Sequence, residues 1–305
     1  MLRTYQIVDQ QLRECPDGSG PIQMYVTPDT AERTRLLDSL QIDAHTLDSA
    51  LDPEEPARIE FEPDHTALIV KRPRTSVAKD DLMFRITSVG LFLFADRLII
   101  VLAEDSLQFA GKLFRRIGSL RDLTLRILFR SVEHFEQHLQ VMNQIAGQIE
   151  AKLNRAMENR HLLNLFALEK SLVYYLNAIA SNGRLLDRIR ASAARMGLGS
   201  EELELLDDLA IENHQCHEVA NTYSQVLAGL MDARASIVSN NLNILMKELT
   251  VVMLAIMFPS LIVALFSMNV RMPFDQEGSL IPFWIVVAGA AASSAAILML
   301  YKHRK

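Results

Sequence analysis

Asn243, Met246, Thr250, Met253, Met257, Ser260, Ala264 and Ser267 follow one another at steps of three and four residues near the C-terminus. On a helix these steps place all eight in one stripe of small, polar or flexible side chains. Leu245, Leu249, Val252, Ile256, Pro259, Val263 and Phe266 form a second, mainly bulky and apolar stripe. No acidic residue lies between Leu249 and Val270, so a cation passing there is not held bare by carboxylates. Mg²⁺ gives up water reluctantly and keeps several waters, and amide, hydroxyl and carbonyl oxygens that contact those waters suit a partly hydrated ion. Small residues also let membrane helices approach closely, so packing alone accounts for the same stripe.

Other groups have metal-ligand chemistry. His214 and His217 stand at i and i+3, with Glu218 at i+4 from the first and Cys216 between them. A helix brings these to one side for a transition metal. His134 and His138, beside Glu133 and Glu136, repeat the i, i+4 spacing. Glu201, Glu202, Glu204, Asp207 and Asp208 form an acidic run that either binds a divalent ion or is a solvated helix start complementing the dipole. Cys15 and Cys216 have no zinc-finger spacing around them and read as reduced structural thiols. No nucleophile elbow, metalloprotease helix, dinucleotide loop or phosphate loop occurs, so nothing positive supports an enzyme, and no cofactor is required.

The elements carrying these residues are unusual. Two charge-free apolar stretches, Leu249 to Val270 and Gly278 to Tyr301, each exceed the roughly 20 residues a helix needs to cross about 30 Å of hydrocarbon. A lipid bilayer is therefore an expected partner. Lys302, His303, Arg304 and Lys305 follow the second stretch and Lys247 precedes the first, while the loop between carries Arg271 against Asp275 and Glu277. This bias, with an N-terminus lacking a signal-peptide pattern, predicts cytoplasmic termini and an external loop. The net charge of −6 over 305 residues gives no footprint for nucleic acid.

Up to about residue 110 the pattern is mixed α/β. Strands are expected at Thr4–Val8, Ile22–Val26, Ala57–Phe61 and Thr66–Lys71, then a hairpin of Ser88–Ala95 with Leu98–Ala103; helices start near Asp29 and Asp43. Beyond it, Leu120, Leu123, Ile127, Val132, Leu139, Met142, Ile145 and Ile149 recur at helical spacing. Glycine breaks, weak at Ser181-Asn182-Gly183 and strong at Met196 to Ser200, predict one long helical hairpin turning near residue 199. From Glu201 to Phe266 no strong breaker intervenes, so the returning helix approaches about 100 Å and needs copies of itself to pack against.

These features together resemble the CorA-type divalent-metal transporters, of which the zinc transporter ZntB is a branch. The resemblance rests on the α/β region, the long helices, NILMKELT at 243–250, the two spans, Ser267-Met268-Asn269 followed by Met272-Pro273, and the tail YKHRK. It implies an α+β cytoplasmic domain, long stalk helices and two C-terminal transmembrane helices in a pentameric funnel. The expected division is 1–110 cytoplasmic α/β, 111–248 helical hairpin and stalk, 249–270 pore-lining span, 271–279 external loop, 280–301 second span and 302–305 basic tail.

By that resemblance Asn269 contacts the hydrated ion in a selectivity ring shaped by Ser267 and Met268, with serine where the family has glycine. Asn243, Met246, Leu249 and Met257 line the inner pore; Asp275 and Glu277 concentrate cations at the external mouth. Glu201, Glu204, Asp207 and Asp208, with His214, His217 and Glu218, are the candidate regulatory metal ligands. The expected function is a homo-oligomeric inner-membrane channel for a hydrated divalent cation, Mg²⁺ first and Zn²⁺, Co²⁺ or Ni²⁺ next. The alternative is a membrane-anchored structural or regulatory protein on the same scaffold.

Overall fold

The computed structural model describes residues 1–15, 18–74, 83–153, 159–268 and 280–303. The chain divides into two compact units, Met1–Met231 and Asp232–Lys305.

In the first unit, strands β1 (Leu2–Val8), β2 (Gln11–Glu14), β3 (Ile22–Val26), β4 (Arg58–Phe61), β5 (His65–Pro73), β6 (Ile86–Phe94) and β7 (Leu98–Leu102) form one sheet ordered β2-β1-β3-β7-β6-β5-β4. All neighbours are antiparallel except β3 and β7, which are parallel with Ile22 opposite Leu98. Both are buried along their length, β7 as an unbroken apolar run and β3 with Gln23 as its one polar residue, as strands covered on two faces are. Alternation sends Met24, Leu98 and Ile100 into the larger core and Tyr25, Ile99 and Val101 into the smaller one. Helix α1 (Thr30–Thr34) is capped by Asp29 in a reciprocal box with Glu32, and runs on through a π turn at Arg35–Ser39. Helix α2 (Ala44–Leu51) is capped by Asp43 and closes the smaller core with Leu47 and Ala50. A Cβ on Gly90 would stand 2.5 Å from the Ala50 Cβ, so glycine is what lets α2 lie against β6.

The edge strand β2 was not expected: QLRE lacks an apolar alternation, and it pairs with β1 through a turn in which Asp9 and Gln10 take positive φ.

Helices α3 (Leu120–Leu153), α4 (Asn159–Ala191) and the start of α6 (Ser200–Phe266) contribute to the larger core. The long run expected before residue 199 is thus two helices, and 154–158, which contain no glycine or proline, lie outside the described residues. The weak break at Ser181-Asn182-Gly183 is continuous helix. Its turn-forming side chains reach sideways instead. Asn182 accepts from the Lys71 N–H at 2.9 Å and donates to the Lys71 carbonyl at 2.8 Å, prolonging the ladder on β5 past the end of β4. Ser181 Oγ accepts the Ala57 N–H at 2.8 Å. The strong break is a turn: Gly197, at φ 65°, ends the short helix α5 (Ala193–Met196). Glu202 then receives the Gly199 N–H and the Ser119 hydroxyl, both at 2.9 Å, at the start of α6.

The second unit holds the remainder of α6, with Pro259 inside it, and helix α7 (Ile281–His303). Both helices are long and apolar enough to cross a membrane. Large apolar residues stand outward on each: Leu249 is 62% exposed and Trp284 64%.

Candidate functional site

In the second unit, α6 residues Glu248, Val251, Leu254, Ala255, Pro259 and Ile262 are partly covered, and on α7 Pro282, Val286, Ala290, Ser293, Ser294, Ile297 and Tyr301 are. Each set follows a helical period, so each marks one face. Interactions among the described residues join them. Ser294 Oγ donates to the Ala255 carbonyl at 2.7 Å, Tyr301 Oη to Glu248 Oε1 at 3.5 Å, and Lys247 Nζ lies 5.7 Å from the Tyr301 ring centre.

The Ser294 bond has a specific cause. Proline has no N–H, so Pro259 leaves the carbonyl four residues before it, Ala255, without its helical donor. In hydrocarbon an unpaired carbonyl costs several kcal/mol, and a neighbouring helix's hydroxyl is one of the few donors at hand. In the sequence Ser294 stands within a run of alanine, glycine and serine at 288–296 that reads as helix packing. The readable signal was a proline in one span together with a serine in the other.

The eight-residue stripe lies on the face of α6 turned away from α7. Asn243, Met246, Thr250, Met253, Met257, Ser260, Ala264 and Ser267 are all exposed, as is Leu249. Its hydroxyls fold back on their own helix: Thr250 donates to the Met246 carbonyl at 2.8 Å, Ser260 to Ile256 at 2.8 Å and Ser267 to Ala264 at 2.9 Å. With the proton so used, each oxygen keeps its lone pairs for an outside donor. Waters bound to a cation point their hydrogens away from it, so this face offers acceptors to a hydrated ion. Ser267 and Met268 follow the end of α6, both exposed; Asn269, Asp275 and Glu277 lie outside the described residues.

The acidic and histidine groups belong to the first unit. Leu206, Leu209, Asn213, Cys216 and Ala220 form the buried stripe of α6, and Glu201, Glu204, Asp208, His214 and Glu218 are exposed. Asp207 pairs with Arg190 at 3.2 Å. His214 and His217 line a depression of about 270 Å³ with Asn213, Arg184 and Asp187. His217 Nδ1 is 3.6 Å from Glu218 Oε1. Among the described residues no three His, Cys, Asp or Glu side chains gather closely enough to hold a metal ion. Burial, with Glu136 and Glu212 nearby, pushes the Cys216 thiol up to about 12, which keeps it protonated and unsuited to ligation. His134 and His138 are half-buried against the core: His138 Nδ1 meets the Tyr175 hydroxyl at 2.8 Å, and burial pulls His134 down to about 3.

Comparison with known proteins agrees with this architecture. The profile of the CorA-like Mg²⁺ transporter protein family matches residues 24–303. The cobalt/magnesium transport protein CorA of Methanocaldococcus jannaschii is 23% identical over 274 residues, 86% of this chain and 83% of that protein. The complete structure of the CorA magnesium transporter from the same organism superposes with a TM-score of 0.82 at 21% identity, covering 99% of this chain and 96% of that one. Full-length CmaX superposes at 0.70 and 13% identity, covering 96% and 94%. The ZntB cytoplasmic domain of Vibrio parahaemolyticus does so at 0.60 and 11%, covering 78% and 98%. The fold expected from the sequence is therefore the fold observed, and with the profile spanning nearly the whole chain the protein belongs to the CorA-like Mg²⁺ transporter family.

Proposed function

We propose that the protein is a homo-oligomeric pore, five copies in the fold's expected arrangement, that passes a hydrated divalent cation across the inner membrane. Mg²⁺ is the first candidate and Co²⁺ the second, in keeping with the name of the archaeal relative; Zn²⁺ and Ni²⁺ follow. The observation that carries this reading is the set of back-bonded hydroxyls Thr250, Ser260 and Ser267 on the α6 face opposite α7. Exposed Ile211, Val219, Val226 and Leu242 on α6 give copies of the chain an apolar surface on which to meet.

In this reading residues 1–110 and 111–248 are the cytoplasmic domain and stalk, 249–270 and 280–301 the spans, 271–279 the external loop and 302–305 the internal tail. Asn269 holds the ion's hydration shell in the ring with Ser267 and Met268, and Asp275 and Glu277 draw cations to the mouth. The membrane potential drives entry, at about 2.3 kcal/mol per charge per 100 mV and about twice that for a divalent ion. Purified protein in liposomes should admit Mg²⁺ in a panel with Co²⁺, Zn²⁺ and Ni²⁺. Asn269→Ala should assemble normally and lose selective flux; a wild type that passes none of the four ions removes the proposal.

Glu201, Glu204, Asp207 and Asp208, with His214, His217 and Glu218, are proposed to sense internal divalent ions between copies. Asp207→Asn with Asp208→Asn should weaken inhibition of flux by internal Mg²⁺ several-fold. Unaltered inhibition assigns the run to solvation and to the Arg190 ion pair.

A further inference from the structure

The sheet face of the larger core carries a buried charge. Along β5, Leu68 and Val70 point into that core, and alternation puts Arg72 on the same side, where it is 2% exposed. Arg72 Nη2 donates to the Ser106 carbonyl at 2.7 Å. Among the described residues its Nε and Nη1 are buried without a hydrogen-bond partner, and so are Ser106 Oγ and His134 Nδ1. These four atoms share one neighbourhood. Ser106 is bonded to Arg72, and the charge of Arg72 acts on His134 of α3, which packs on β5. Arg130, one turn before His134, acts on both. Thr87, opposite Arg72 in the register of β6, is buried beside them.

A buried charge with one carbonyl partner is costly, because an ion taken out of water loses several kcal/mol of solvation and each unpaired donor adds to that. Among the described residues the neighbouring carboxylates serve other cations: Glu104 attracts Arg72 but bonds to Arg74 at 2.6 Å, and Glu133 takes Arg130 at 3.0 Å. Burial pulls the Arg72 guanidinium down to about 10, so it stays charged at neutral pH. Burial first, then His138, Arg72 and Arg130, keeps His134 neutral, and a neutral imidazole carries its proton on either nitrogen. With the proton on Nδ1 and the Ser106 hydroxyl turned the same way, the orphan atoms are all donors around a positive charge. Water accepts from such donors but leaves the charge in place; an anion does both tasks. All four atoms are shut off from solvent, which limits the guest to a few atoms.

We infer that Arg72, Ser106 and His134 bind one small monovalent inorganic anion, a halide or nitrate-sized oxyanion, between β5, the segment after β7 and α3. The site is separate from the α6 stripe and does not rest on the transport reading, since binding is measured without flux.

The test is thermal unfolding of the detergent-solubilised full-length protein as sodium gluconate is exchanged for chloride, bromide or nitrate at constant ionic strength. The wild-type midpoint should rise with the logarithm of anion concentration, as a ligand of the folded state alone requires. Ser106→Ala, which removes one hydroxyl, should need about tenfold more anion for the same rise. Arg72→Met, which removes the charge, should lose the dependence and be no less stable than wild type in gluconate. Crystals grown in bromide should show an anomalous peak beside the Arg72 guanidinium. A rise with halides alone marks a spherical guest, and an equal rise with nitrate a planar one. A wild-type midpoint indifferent to all three anions overturns the proposal, as does a rise that both variants keep unchanged, or water in place of the bromide. Should Arg72→Met not fold, Ser106→Ala and the bromide peak decide between the same outcomes.

Discussion

Serine, threonine and asparagine side chains serve different partners in the two units, although hydroxyls bond back to their own helix in both, as Ser171 does to Ala167 and Thr250 to Met246. In the first, Ser171, Ser181 and Asn182 are buried on α4 and reach across to the sheet region: Ser171 Oγ accepts the Phe84 N–H at 3.0 Å, Ser181 that of Ala57, and Asn182 holds both backbone groups of Lys71. In the second, Thr250, Ser260 and Ser267 are exposed and turn their protons back onto α6. Apolar side chains invert in the same way, lying inside the first unit as two cores and standing outward on α6 and α7. The residue types are shared, and what differs is the medium each surface meets. Where water is excluded by protein, a polar group joins elements. On α6 and α7 of the second unit apolar bulk faces out, and the hydroxyls of Thr250, Ser260 and Ser267 gather on one stripe. Ser294 is the exception that crosses between helices in the second unit, because Pro259 has released the carbonyl it serves.

The contrast can be broken at either end. Asn182→Leu should cost about 3 kcal/mol, since it strands two backbone groups of Lys71 where water does not reach and each costs about 1–3 kcal/mol unpaired. Thermal unfolding of the full-length protein measures this, and an unchanged midpoint would mean that Asn182 only decorates α4. Ser294→Ala should cost much less, about 0.6 kcal/mol, as is average for hydrogen bonds between membrane helices. Oligomer stability against rising denaturing detergent should fall slightly. A collapse comparable to that of Asn182→Leu would mean that the spans depend on polar contacts as the sheet does.

Much of this was legible in the residues. The strands IQMYV and LIIVL, the caps at Asp29 and Asp43 and the two apolar spans are each dictated by local chemistry, and each appears near the expected place. Other features depend on what lies across a gap. Ser-Asn-Gly reads as a turn because these side chains mimic backbone, and Asn182 uses that same mimicry to extend a sheet edge from within a helix. The strand QLRE carries no apolar alternation and exists because β1 templates it. His134 and His138 have ligand spacing, yet the spacing cannot reveal that Tyr175 and the core enclose them. At the candidate site the stripe from Asn243 to Ser267 was readable because helical period alone defines it. Ser294 was hidden because its partner is a carbonyl made available by a proline on another helix.

The central claim is that the α6 face opposite α7 conducts. Mg²⁺ uptake into liposomes, recorded with an internal fluorescent indicator under an inside-negative potential, compares wild type with Ser260→Leu, which fills that face with apolar bulk. The account predicts voltage-driven uptake by the wild type and at least a roughly tenfold loss in an equally well assembled Ser260→Leu, about 1.4 kcal/mol or more on the barrier. Equal uptake by the two proteins would contradict it.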